Sequence, residues 1–71
     1  MFETRNKQYI NTDKIRGLMA ENGENINDLS RLLNIHRNTV SLKLKKKREF
    51  SASELKKISD HYGVLINIFF N

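Results

Sequence analysis

Two glycines set the scale for the rest of this chain. Gly23 and Gly63 each close a stretch of helical periodicity, where a residue free to take left-handed backbone ends a helix. Helix starts are marked as closely as the ends. Ser51 and Glu54 have the spacing of a capping box, and Phe50 and Leu55 on either side have the spacing of a hydrophobic staple. Asn25 and Asp28 resemble the same box earlier in the chain. Ends this close together leave room for short helices only, and the fold class they predict is all-α.

Between those marks the apolar spacing assigns four helices. Ile15, Leu18 and Met19 recur at i, i+3, i+4, so helix 1 is expected from about residue 12 to 22, capped by Asn11 or Thr12. Gly17 inside it costs about 1 kcal/mol relative to alanine; it either permits a close backbone approach or is simply tolerated. Ile26, Leu29, Leu32 and Leu33 stripe a short helix 2. Asn34-Ile35-His36 then breaks the pattern, and Asn34 suits a sharp turn because asparagine tolerates positive φ. Helix 3 is expected from Arg37 to about Lys46, with Val40 and Leu44 inward and Arg37, Asn38, Ser41 and Lys45 outward. Helix 4 is expected from Ala52 to Tyr62 on the stripe Leu55, Ile58, Tyr62. After Gly63, the β-branched and aromatic content of residues 64–70 favours a strand, whereas a last helical turn needs only Leu65, Ile68 and Phe69 inside; a short helix is expected. The first ten residues lack a period, although Tyr9 and Ile10 can pack. Residues 1–11 are read as a partly mobile arm and 12–71 as the domain.

At 71 residues the chain holds one small core. A domain of this size buries only about 60% of the surface its unfolded form exposes, and roughly 3–5 kcal/mol of net stability is expected unless a second subunit adds to it. Without cysteine there is neither a disulfide nor a thiolate metal site, and the cytoplasm is the default compartment, here a bacterial cytoplasm or nucleoid. The longest apolar run, Val64 to Ile66 resuming at Ile68 to Phe70, is far short of the roughly 20 residues a spanning helix needs. His36 and His61 stand far apart with no metal-binding spacing, no nucleophile-elbow serine occurs, and neither GxGxxG nor GKS/GKT is present. Neither an enzyme nor a metal, cofactor or small-molecule site is expected.

Charge is concentrated in one place. Residues 37–48 hold Arg37, Lys43, Lys45, Lys46, Lys47 and Arg48 and no acid, while the other seven basic residues are outnumbered by eight acidic ones. Such a run is either a solvated face or a polyanion site, and the near-neutral remainder favours nucleic acid. Helices 2 and 3, joined by a tight turn with polar and basic residues on the outer face of the second, have the arrangement of a helix-turn-helix.

The stretch from Asn25 to Phe70 resembles the lambda-repressor-like family that includes phage Cro and repressor DNA-binding domains. The likeness rests on Leu29 in helix 2, Ser30 as the small residue beside it, Ile35 after the turn, Thr39-Val40-Ser41 in helix 3, the basic loop, Phe50, and a helix ending in HYGV. Asn34 stands in place of the usual turn glycine, Ile26 in place of a common phosphate-binding glutamine, His36 where Ser or Thr usually caps helix 3, and Lys46 where many members carry glycine, which would let helix 3 run on. The resemblance implies a compact four- to five-helix fold. It implies base reading by Arg37, Asn38, Thr39, Ser41 and Leu42, and phosphate binding by Asn25, Asn27, His36, Lys43, Lys45, Lys46, Lys47 and Arg48. Arg37 can pair with guanine, Asn38 with adenine, and Leu42 can rest on a thymine methyl or join the core as a further leucine.

The function so implied is a Cro-like phage or prophage repressor that binds double-stranded DNA at a palindromic operator as a homodimer. Ile66, Ile68, Phe69 and Phe70 either form the dimer surface or plug the core from below. A module gripping an acidic protein partner through Lys45 to Arg48 is the alternative from another class. RNA binding is weaker, because the aromatic residues are not interleaved with the basic ones.

Overall fold

A computed structural model describes residues 10–70. The expectations for the N-terminal arm before Ile10, Tyr9 included, lie outside the described residues. Four α-helices, α1 (Thr12–Glu21), α2 (Ile26–Leu33), α3 (Arg37–Leu44) and α4 (Ala52–Tyr62), lead to a 3-10 helix at Ile66–Phe69. The starts follow the capping chemistry of the sequence. The Asn11 side chain accepts from the Lys14 N–H, and both capping boxes, Asn25 with Asp28 and Ser51 with Glu54, are closed in both directions.

Helix ends follow from left-handed residues at Gly23, Asn34, Lys46 and Gly63. The sequence identified three of the four. At Lys46, φ is 66° where continued helix was expected, so α3 stops at Leu44 rather than near Lys46. The Lys46 N–H donates to the Lys43 carbonyl and the Lys47 N–H to the Leu42 carbonyl, the paired bonds of a Schellman ending. Lysine here takes the conformation that glycine would adopt. Gly17 needs no special account, since a Cβ there would meet no atom within 4 Å.

Each helix sends its apolar stripe to one centre. Ile15 and Met19 of α1, Leu29 and Leu33 of α2, Val40 and Leu44 of α3, and Leu55 and Ile58 of α4 are buried together with Phe50 and Phe69. Phe69 closes this core with no exposed surface, which removes it from any outward-facing apolar patch. Leu65 is the converse correction: expected inside, it is 73% exposed, because the chain is extended there and reaches inward only with the following turn. The strand character of the segment survives as one antiparallel bridge between Ile10 and Phe70, reinforced by the Asn11 N–H donating to the Phe69 carbonyl at 2.6 Å. Among the described residues no helix is long and apolar enough to cross a membrane.

Candidate nucleic-acid interface

The turn between α2 and α3 aims the second helix outward. Asn34 reverses the chain with φ 58° and ψ 45°, and the Ile35 N–H donates back to the Ser30 carbonyl at 3.1 Å. His36 then caps α3: its Nδ1 accepts the Asn38 N–H at 3.1 Å. A residue expected to meet phosphate is thus the local equivalent of the usual hydroxyl cap. With Nδ1 accepting, the neutral ring carries its proton on Nε2, and that N–H remains a donor at the amino end of α3.

Helical spacing arranges the outer face of α3 in two adjacent rows, Arg37–Ser41–Lys45 and Asn38–Leu42. Arg37, Asn38 and Lys45 are exposed and Ser41 half-buried. Leu42 is 40% exposed, so it belongs to this face and not to the core. Thr39 lies half-buried on the flank, outside both rows. The start of α2 joins the same surface: Asn25, Ile26 and Asn27 line a shallow depression with Arg37, Asn38 and Ser41. Beyond the helix, Lys45, Lys46, Lys47 and Arg48 are all exposed. Arg37 and Asn38 bring the positive amino end of α3 to the same depression, which favours an anion there.

Lys43 does not belong with these exposed residues. It is 8% exposed and its Nζ is 2.5 Å from Oε1 of Glu54, with the Phe50 ring centroid 5.8 Å away. The expectation of a phosphate contact from Lys43 is therefore corrected: its ammonium points into the molecule and is already paired. Burial pushes the Glu54 carboxyl up, but the hydrogen bond from Lys43, the Ser51 N–H and the lysine charge together hold it below its ordinary value. A second tie, absent from the sequence reading, runs from Arg16 of α1, whose Nη2 donates to the Leu44 carbonyl at 3.2 Å and so satisfies an end carbonyl of α3. Helical spacing did hold a signal for Lys43, since it falls between Val40 and Leu44 in sequence and shares their side of the helix; no comparable signal marks Arg16.

A family model described as the Cro/C1-type helix-turn-helix DNA-binding domain matches residues 14–67. The chain belongs to that family. Comparison with curated proteins and with solved structures found no match. The matched span starts in α1 and ends within the 3-10 helix, so this Cro/C1-type domain includes the helix-turn-helix of α2 and α3, the basic loop after it, and most of the residues that close the core. Family membership accounts for DNA binding.

Proposed function

We propose that this protein is a sequence-specific transcriptional regulator, a phage or prophage repressor of Cro type that lays α3 in the major groove of its operator. The observation that carries the reading is the outer face of α3, where two rows of polar and exposed apolar side chains run directly into four exposed basic residues. Arg37, Asn38, Ser41 and Leu42 are the proposed base readers, with Thr39 at their edge. Asn25, Asn27, His36, Lys45, Lys46, Lys47 and Arg48 are the proposed phosphate contacts, which set affinity and register.

A homodimer on a palindromic operator completes the proposal, with paired recognition helices about 34 Å apart. Ile66, Ile68 and Phe70 are half-buried in the single chain and Leu65 is exposed beside them, which supports a C-terminal dimer surface without Phe69. Selection from a randomised duplex pool at about 0.15 M salt with competitor polyanion tests the whole reading, because unspecific phosphate binding is suppressed there. A recovered palindrome with half-sites one helical turn apart is expected. An unenriched pool would reduce the basic run to polyanion affinity and end the proposal.

A further inference from the structure

The eight residues of α3 bury two large apolar side chains, Val40 and Leu44. At about 100° per residue these two lie only about 40° apart around the axis, close to one line. Hydrophobic contact along a line is non-directional and resists rotation about that line weakly. The proposed readers Arg37, Ser41, Asn38 and Leu42 follow around the axis on the side of Leu44, from about 60° to about 200° from Val40, and a small roll of the helix would move every one of them against the base edges.

Lys43 stands off that line, about 60° from Val40 on the side away from Leu44. Its side-chain contact is directional, as is the bond from Arg16 to the Leu44 carbonyl at the end of the helix, whereas the contacts of the Val40 and Leu44 side chains are not. The same Glu54 oxygen that receives the Lys43 ammonium also accepts the Ser51 N–H at 2.9 Å, so it is held by the first turn of α4 before it holds the lysine. The Glu54 side chain is 14% exposed and that of Lys43 10%, which limits competition from water. Lys43 also provides the carbonyl that the left-handed Lys46 bonds to, so the exit of the basic loop starts from the same residue.

We propose that Lys43 and Glu54 are positioning residues for DNA recognition, a pair that fixes the rotation of α3 and the course of the loop after it, so that base readers and phosphate anchors are presented in one register. The role rests on the DNA-binding reading above, while the fixing itself is a property of the free protein. Neither side chain touches DNA in this scheme.

Two substitutions test it on the whole chain. Lys43→Met keeps an unbranched apolar stem of similar length in the slot and removes the ammonium. Glu54→Gln removes the charge but retains a side chain that can close the capping box. In the free protein, amide hydrogen exchange at Lys46 and Lys47 is expected to quicken about tenfold in each variant, with the amides of α2 unchanged. Unchanged protection at those amides would overturn the proposal, and so would an equal rise throughout the domain, which would make the pair a general stabiliser.

On DNA, Lys43→Met is expected to lower the preference for the selected duplex over random duplex about tenfold and to leave the salt dependence of random binding as it was. The double variant should lose no more than either single one, since both break one contact. A salt slope that falls by about 0.9 in Lys43→Met would mean that the lysine neutralises a phosphate, contrary to the proposal. If the unaltered protein selects no duplex, the operator-binding reading fails by itself, and the exchange result still decides whether the pair fixes α3.

Discussion

Replacing Lys46 by glycine is expected to raise stability and weaken DNA binding together. Lys46 has a φ of 66°, in the left-handed region where an L side chain costs roughly 1–2 kcal/mol. Glycine removes that penalty but loses about 0.5–1 kcal/mol through the greater freedom of its unfolded chain. The difference, about 0.5–1 kcal/mol in favour of the variant, corresponds to a Tm higher by roughly 2–8 °C in a domain of this size. Removing one exposed charge from the loop should at the same time reduce the slope of log K against log salt by about 0.9. Lys45→Gly is the control: φ at Lys45 is −86°, so the same lost charge should come with a loss of stability of about 0.5–1 kcal/mol. Thermal unfolding and a salt titration on random duplex read both quantities. A Lys46→Gly variant no more stable than the unaltered protein would refute the backbone account, and an unchanged slope would remove Lys46 from the phosphate anchors.

Other changes separate the remaining roles. Arg37→Ala and Asn38→Ala are expected to lose about 1–3 kcal/mol each on the selected duplex and little on random duplex, whereas Lys47→Ala should weaken both alike; binding titrations on the two duplexes check the division. Phe69→Ala should cost about 3–5 kcal/mol, enough to unfold a domain this small as followed by circular dichroism, while Phe70→Ala should leave the fold and shift the monomer–dimer equilibrium seen in sedimentation. Glu24 is held below its ordinary value by hydrogen bonds from Tyr62 and His61, and Glu54 is lowered as well, its pairing with Lys43 and Ser51 outweighing burial. Both carboxylates therefore add stability above the unfolded value of about 4.3, which is lost as pH falls through their lower folded values. Urea unfolding across that range should show the loss, and Glu24→Gln should flatten it.

What could be read from the sequence was chemistry acting over a few residues. Asn25, Ser51, Gly23 and Gly63 determine helix ends through bonds within one turn, and the stripes of α1, α2 and α4 follow from periodicity alone. Residues 64–70 were harder, because their composition suits a strand and their final shape depends on Phe69 finding the core and Phe70 finding Ile10. At the candidate interface, the outward rows of α3 were legible for the same local reason. Lys43 was misplaced because its basic neighbours outweighed its helical position on the side of Val40 and Leu44, and its partner Glu54 stands eleven positions away. Arg16 reaches across 28 positions to an end carbonyl of α3, a contact that no pattern in either segment announces. His36 shows that a capping role is set by position more than by residue type.

The clasp between Ile10 and Phe70 also governs how force and tethers act on the domain. Chain entering at Ile10 and chain leaving at Phe70 pass through one point of the surface, running in opposite directions. A segment on either side therefore meets the domain at the same pole, so Ile10 and Phe70 give tethers one common point of attachment to the fold. Pulling the two apart would load that single bridge and the Asn11 to Phe69 bond first, in the manner of a zipper and not of a shear joint, with the anchoring of Phe69 next in line.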